Sequence, residues 1–247
     1  MGLLDGKVAV ITGGGSGIGK GIAKIFLKEG GSVVIAARNA DRLDVAAEEI
    51  GKGGLPLLAV AVDVMDSGQV KNLFQKTMDR FGRLDILVNN AGAFGGGRID
   101  DITDDTWNQV IGTNLTGAFF CTREAFSIMK DAGGGRIINI GSIAAKRPRR
   151  HSAPYTTSKA AIAALTQCTS LDGRDFGIAA SCLHPGNTLV ERRADGKADS
   201  GLDQGLETMI PIEDMARTAL LMATLSSGAN MLETVVLPIK QEYIGRG

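Results

Sequence analysis

The chain offers little sulfur: its 247 residues include three cysteines, Cys121, Cys168 and Cys182. The number is odd, none belongs to a CxxC pair, and no Cys/His spacing suits a metal ion, so neither a disulfide framework nor a metal site is expected. Reduced, mostly buried thiols of a cytoplasmic protein are what remains. An excess of charge of one sign is missing as well. The 27 basic and 27 acidic residues cancel and form no long run, which removes the electrostatic footprint of a nucleic-acid or anionic-membrane partner. Also missing are an apolar run near the roughly 18 residues that span a bilayer and a charged leader followed by an apolar stretch. Internal repeats, heptads and low-complexity linkers are absent too. Small-molecule chemistry in a soluble protein is the class left standing.

What is present is a steady alternation of strand and helix patterns. At this length one α/β domain over 1–247 is expected, with enough apolar surface to need no staples. Strands are predicted at 7–12, 32–38, 55–63, 84–90, 135–141, 177–184 and 231–238, and helices at 17–31, 41–51, 66–82, 104–130, 155–171 and 213–225. The strands are nearly all apolar rather than alternating, which predicts a doubly wound parallel sheet with helices on both faces. The rhythm breaks over 186–211, where ERRADGKADSGLDQG is polar and glycine-containing; this is the candidate substrate lid.

Tyr155 and Lys159 stand four apart in YTTSK, on one face of a predicted helix. A phenol has a reference pKa of about 10, and bringing it into working range near pH 7 takes roughly 4 kcal/mol, which a nearby ammonium could supply. At the other end of the chain, TGGGSGIG at 12–19 follows the first predicted strand. Glycines 13, 17 and 19 allow the backbone to approach a pyrophosphate, and the amides at Ser16, Gly17, Ile18 and Gly19 open a helix that can face it; packing alone is the competing reason for such a turn. The second strand ends on Arg38 where an acidic residue would accept ribose hydroxyls, so NADP(H) is favoured over NAD(H), unless Arg38 is merely solvated. Asp63 and Val64 are placed to meet the adenine edge, and Asn90, Ala91 and Gly92 leave room for a ribose or flat ring.

These motifs in this order, with Asn114, Ser142 and Pro185–Gly186, resemble the signature of the short-chain dehydrogenase/reductase family over about residues 5–240. The resemblance implies a seven-stranded parallel Rossmann sheet and a tetrad of Asn114, Ser142, Tyr155 and Lys159. It implies that Tyr155 exchanges a proton with the substrate oxygen and that Ser142 hydrogen-bonds that oxygen. By the same resemblance Lys159 lowers the tyrosine pKa and binds the nicotinamide ribose, while Asn114 holds a water. Pro185, Gly186 and Thr188 would shape the carboxamide pocket. Reversible hydride transfer between NADP(H) and a carbonyl or secondary alcohol is the expected activity. A 3-oxoacyl or enoyl thioester reductase and a cofactor-sensing binding protein without turnover are the alternatives. The ending ETVVLPIKQEYIGRG departs from the glycine-rich ending of acyl-carrier reductases, which counts against fatty-acid synthesis. His184, before a proline at a strand end, is read as packed or capping.

The cluster Lys146, Arg147, Arg149 and Arg150 lies between Ser142 and Tyr155, beside the expected active-site mouth. It could steer an anionic substrate, with Arg192 and Arg193 assisting from the lid, or form a solvated loop or subunit contact. The family also implies a homodimer or homotetramer; Leu220, Leu221, Met222, Val235 and Val236 suit either such a contact or the core.

Overall fold

The computed structural model describes residues 1–190 and 208–244. Strands and helices alternate as β1 (Val8–Thr12), α1 (Gly17–Lys28), β2 (Ser32–Ala37), α2 (Ala40–Ile50), β3 (Leu57–Ala61), α3 (Ser67–Phe81) and β4 (Ile86–Asn89). The second half continues with α4 (Asp104–Ile111), α5 (Gly117–Asp131), β5 (Gly135–Ile140), α6 (Ala153–Gly173), β6 (Ile178–Pro185), α7 (Ile212–Thr224) and β7 (Glu233–Val236). All seven strands pair in parallel, in the order β3-β2-β1-β4-β5-β6-β7. The order reverses between β1 and β4, so a crevice opens at the carboxyl ends of these two neighbours.

The uniformly apolar strands are explained by two separate cores. On β1, Ala9 and Ile11 join the cluster under α1, α2 and α7, whereas Val10 joins the one under α3 and α5. Each face is covered, so each strand position must be apolar; burying such a side chain contributes roughly 1.5–3 kcal/mol. A polar chain crosses the sheet where α5 and α6 pack. Asn89 Nδ2 donates to Thr122 Oγ1 at 3.0 Å and to Asn139 Oδ1 at 2.8 Å, and Asn139 Nδ2 donates to Thr166 Oγ1 at 2.8 Å. These buried bonds fix β4, β5 and α6 in one register, because a slip would strand polar atoms in apolar surroundings.

Three helix starts carry a side-chain cap: Asn39 accepts from Arg42 N, Asp66 from Gly68 N and Gln69 N, and Thr103 from Thr106 N. At the start of α1, Ser16 makes no side-chain cap. A helix start of this kind can turn its dipole and amides toward an anion.

The helix predicted over 104–130 is not continuous. Between α4 and α5 the residues Gly112–Thr116 form a π-helical turn, which carries Asn114 inward. Glycines flank it because a Cβ on Gly117 would stand 2.6 Å from Val64 Cγ2. The apolar spacing reads as helical on both sides of the wide turn, so periodicity does not register it. Helix α6 begins two residues before Tyr155, with Pro154 in its first turn, where a missing N–H costs nothing. Strand β3 starts at Leu57 instead of Leu55 because Pro56 has no amide to give the ladder. Of the cysteines, Cys121 and Cys182 are buried and Cys168 is exposed. Leu220 and Met222 are core residues, whereas Leu221 is exposed.

Candidate active site

Two strand ends and one helix start build the dinucleotide end of the crevice. Gly13 and Gly17 have φ of +65° and +54°, which a side chain would strain. A Cβ on Gly13 would also lie 2.7 Å from Asn90 Nδ2, and one on Gly19 would collide with the same amide. Asn90 is that close because it ties β4 to the turn: its Nδ2 donates to Thr12 O at 3.0 Å and Gly13 O at 3.1 Å, while Thr12 Oγ1 accepts from Asn90 N and Ala91 N at 3.1 Å each. The resulting cleft, about 230 Å³, is lined by residues including Gly13, Ser16, Ala37, Arg38, Arg42, Val64, Ala91, Gly92 and Thr113. The helix start at α1, the missing Cβ atoms and two guanidiniums fit a phosphorylated dinucleotide. Glycines 13, 17 and 19 with Ser16 and Ile18 would hold the pyrophosphate, and Arg38 and Arg42 an adenosine phosphate.

Asp63 does not line this cleft. Its amide donates to Gln69 Oε1 and its Oδ1 accepts from Met65 N, both at 3.0 Å, so it shapes the turn that presents Val64.

The other half of the site hangs on β5 and β6. Ser142 stands two residues past the end of β5, caps a 3-10 turn over Ile143–Ala145 with its Oγ accepting from Ala144 N at 3.1 Å, and this turn packs against α6. Tyr155 and Lys159 project from the first turns of α6, with Lys159 Nζ 5.8 Å from the centre of the phenol ring. Phe94 stacks on that ring at 4.7 Å and 20°. Asn114 holds the Phe94 segment from below: Oδ1 accepts from Ala93 N at 2.7 Å, and Nδ2 donates to Ala93 O and Ser158 Oγ at 3.0 Å each. Both of its amide protons are thereby engaged with protein.

Lys159 is the electrostatic centre. It is 5% exposed and donates to Ile140 O at 2.7 Å. Burial pushes its pKa down to about 8, opposed by Cys182 Sγ. Burial also drives the Cys182 thiol up to about 11, so near neutrality it brings no charge to cancel the ammonium. A unit charge about 6 Å away in an effective dielectric of about 20 is worth ~3 kcal/mol, most of the ~4 kcal/mol that a working phenol requires.

Beyond Ser142 lies a second cavity, about 520 Å³, lined by Ile143, Arg147, Pro148, Arg149, Asn187, Thr208 and Lys240 through Tyr243. Gly186 has no room for a Cβ because Pro238 Cδ would lie 3.0 Å away. Gln241 Oε1 accepts from Asn187 N at 3.0 Å, fastening the C-terminal segment over the end of β6. Thr188 is buried, donates from Oγ1 to Gly186 O at 3.2 Å, and bridges to Ile210. This bridge joins the two described ends of the 186–211 segment. The expected lid body, with Arg192 and Arg193, lies outside the described residues. Of the basic cluster, Arg147 and Arg149 line the cavity, Lys146 pairs with Glu233 at 2.9 Å, and Arg150 is not among the lining residues.

Sequence reasoning missed Arg42, Thr113, Ser158 and the C-terminal wall at 240–243. Arg42 was findable, since it stands one helical turn after Arg38 at the start of α2; the C-terminal wall had no local signal. Among the described residues no three-ligand metal cluster occurs and no helix is long and apolar enough to cross a membrane.

Comparison with known proteins agrees with this fold. A family profile described as short chain dehydrogenase matches residues 7–200. A 3-oxoacyl-[acyl-carrier-protein] reductase of Chlamydia pneumoniae is 34% identical over 240 residues, 95% of this chain and 96% of that protein. A (5R,7aS)-5-hydroxy-7a-methyl-1-oxo-2,3,5,6,7,7a-hexahydro-1H-indene-carboxyl-CoA reductase of Mycobacterium tuberculosis is 40% identical over 187 residues, 74% of this chain and 71% of that protein. Among solved structures, a variant actinorhodin polyketide ketoreductase with NADPH superposes with a TM-score of 0.85 at 27% identity, covering 94% of this chain and 95% of that one.

A lysine whose folded pKa lies below its ordinary 10.5 opposes folding while charged in both states. The penalty is full below about pH 8 and is relieved as pH rises from about 8 to 10.5, where the unfolded chain keeps a proton that the folded one has released. Lys159→Met is therefore expected to raise stability at pH 7 by on the order of 1–3 kcal/mol and to abolish the gain of the parent between pH 8 and 10. Urea unfolding across that range measures both; a variant less stable than the parent at every pH would contradict it.

Proposed function

The chain belongs to the short-chain dehydrogenase family and is one of its oxidoreductases; on that premise we propose that it interconverts a carbonyl and a secondary alcohol with NADP(H). The observation that carries this reading is the buried Lys159 ammonium beside the Tyr155 ring, one helix turn from it and next to a cleft bearing two guanidiniums. NADPH, when bound, supplies the hydride. The residues of the chain handle the proton. Tyr155 Oη releases it to the substrate oxygen in reduction and takes it back in oxidation, at a barrier lowered by the adjacent cation. Ser142 Oγ donates to the same oxygen and so holds the carbonyl where charge develops. Lys159 Nζ, charged for roughly nine-tenths of molecules at pH 7 with a pKa of about 8, maintains the phenol in its acidic range and reaches the ribose. Asn114 keeps Ala93 and Phe94 against Tyr155, and in this reading a water beside it resupplies protons. Pro185, Gly186 and Thr188 border the carboxamide end.

Arg38 and Arg42 support NADP(H) over NAD(H), because both reach the cleft and, among the described residues, no carboxylate lines it. The substrate we infer carries an anionic group, which Arg147, Arg149 and Lys240 would meet in the cavity beyond Ser142. Thioesters on CoA or an acyl carrier, named among the relatives, are one such class. Cytoplasmic location and a homodimer or homotetramer complete the reading, the latter supported by exposed apolar residues such as Leu221 and Leu171.

Three outcomes are expected. Tyr155→Phe should keep its NADPH dissociation constant within about threefold while turnover falls by a factor of 10² or more; retained turnover would remove Tyr155 from the proton step. Arg38→Ala combined with Arg42→Ala should weaken NADPH about 10- to 100-fold and NADH less than threefold, the loss of one or two charge-assisted bonds; fluorescence titration distinguishes this from equal weakening, which would reject the preference. Arg147→Ala with Arg149→Ala should raise KM for acetoacetyl-CoA about tenfold and leave that for neutral ethyl acetoacetate unchanged. An equal rise for both would reject the anionic group.

A further inference from the structure

His184 lines neither cleft, yet it meets the main chain of Ser142. It is 1% exposed at the end of β6. Its Nδ1 lies 3.2 Å from Ser142 N and 2.9 Å from Ser142 O, so it meets the main chain of Ser142 from one side in either protonation form. On the far side of the ring, Nε2 stands 2.8 Å from Glu233 Oε1 on β7. That separation is short, but Nε2 has no aligned hydrogen-bond partner, so the contact acts through charge. Glu233 Oε1 in turn receives Lys146 Nζ at 2.9 Å, and Lys146 ends the 3-10 turn that Ser142 begins. The contacts therefore close a ring: Ser142 to His184, Glu233, Lys146, and back along the turn to Ser142.

The surroundings are built for this ring. Gly141 cannot carry a Cβ, which would lie 2.6 Å from His184 Nδ1 and 2.8 Å from Cε1. The carboxyl of Glu233 is held below its usual range, first by the hydrogen bond from Lys146, so it faces the imidazole as an anion. An anion at 2.8 Å disfavours a bare Nε2 lone pair and demands a proton there. With Nε2 protonated, a neutral ring leaves Nδ1 free to accept from Ser142 N–H, and a doubly protonated ring donates from Nδ1 to Ser142 O. The form excluded is neutral with its proton on Nδ1, because it would turn the bare Nε2 lone pair toward the Glu233 carboxylate.

We propose that His184 is a positioning residue for Ser142, and that Glu233, kept ionised by Lys146, fixes the imidazole form that holds the Ser142 main chain. The inference rests on the role of Ser142 given above. Its effect belongs in turnover rather than in cofactor or substrate affinity, because the group it aims acts where charge develops on the substrate oxygen.

Asparagine places an amide atom near the position of Nδ1, and glutamine one near Nε2, so the two variants separate the contacts. With NADPH and ethyl acetoacetate, His184→Asn should lose less than about fivefold in kcat. His184→Gln and His184→Ala should lose about 30- to 100-fold, with KM and the NADPH dissociation constant within threefold. Glu233→Gln should lower kcat about three- to tenfold in the parent and not at all in the His184→Asn background. Equal losses in the Asn and Gln variants, or a Glu233→Gln effect of the same size in both backgrounds, would overturn the proposal. Ser142→Ala run in parallel separates the two readings: if that variant keeps full turnover, the role of Ser142 fails. If Ser142→Ala loses turnover and His184→Gln does not, only the positioning role fails. Should the His184 variants not fold, imidazole nitrogen NMR decides without substrate, since the chain has two histidines and His151 is exposed. A proton on Nε2 of His184 supports the proposal, and a neutral ring protonated on Nδ1 overturns it.

Discussion

One ammonium placed where water cannot reach it governs the architecture of this site. Lys159 gives up solvation for a single carbonyl, Ile140 O at 2.7 Å, and the balance is unfavourable by itself, as its depressed pKa of about 8 records. The lysine stays because α6 is clamped to β5 and β6 by apolar contacts and by the Asn89–Asn139–Thr166 chain. What that arrangement yields is an undamped charge. An acidic neighbour would have relieved the lysine and also cancelled its field at Tyr155. A buried thiol, pushed up to about 11, fills the place without doing so.

The dinucleotide end is organised on a different principle. Its shape is steric and main-chain: Thr12 and Asn90 join β1 to β4, and the glycines are forced by Asn90 Nδ2 and by positive φ. Its discrimination is electrostatic and sits at the rim, where Arg38 and Arg42 are exposed. Exposed charges are screened, so each contributes modestly until a phosphate brings the partner that aligns it. A rigid cradle with adaptable charges suits the reading proposed above, in which the common part of a dinucleotide meets the cradle and the variable part meets the charges.

Legibility in the sequence followed the range of the interaction. Tyr155 and Lys159 were readable because one helical turn separates them, and the glycine turn because its constraint is local to strand and helix. Asn114 was readable by resemblance, but its mode of action was not: the π turn that carries it inward depends on Val64, Met65 and Ala93 from other elements. The basic stretch after Ser142 reads as one unit in the sequence. In three dimensions it divides, with Arg147 and Arg149 at a cavity and Lys146 on Glu233, nearly ninety positions away. His184 was dismissed as a packed side chain because its partners, Ser142 and Glu233, lie 42 residues before it and on the adjacent strand.

The order of apolar strands and helices by itself determined a doubly wound parallel sheet, since every strand face must be covered and only crossover helices can cover both. It also determined which short-range chemistry is available: a phenol beside an amine, and glycines where backbone must bend. Tertiary structure alone decided the electrical state of Lys159, the wall that Lys240 to Tyr243 build beyond Ser142, and the hold of His184 on Ser142. Those properties arise from burial and from contacts between distant segments, and a chain carries neither until it has folded.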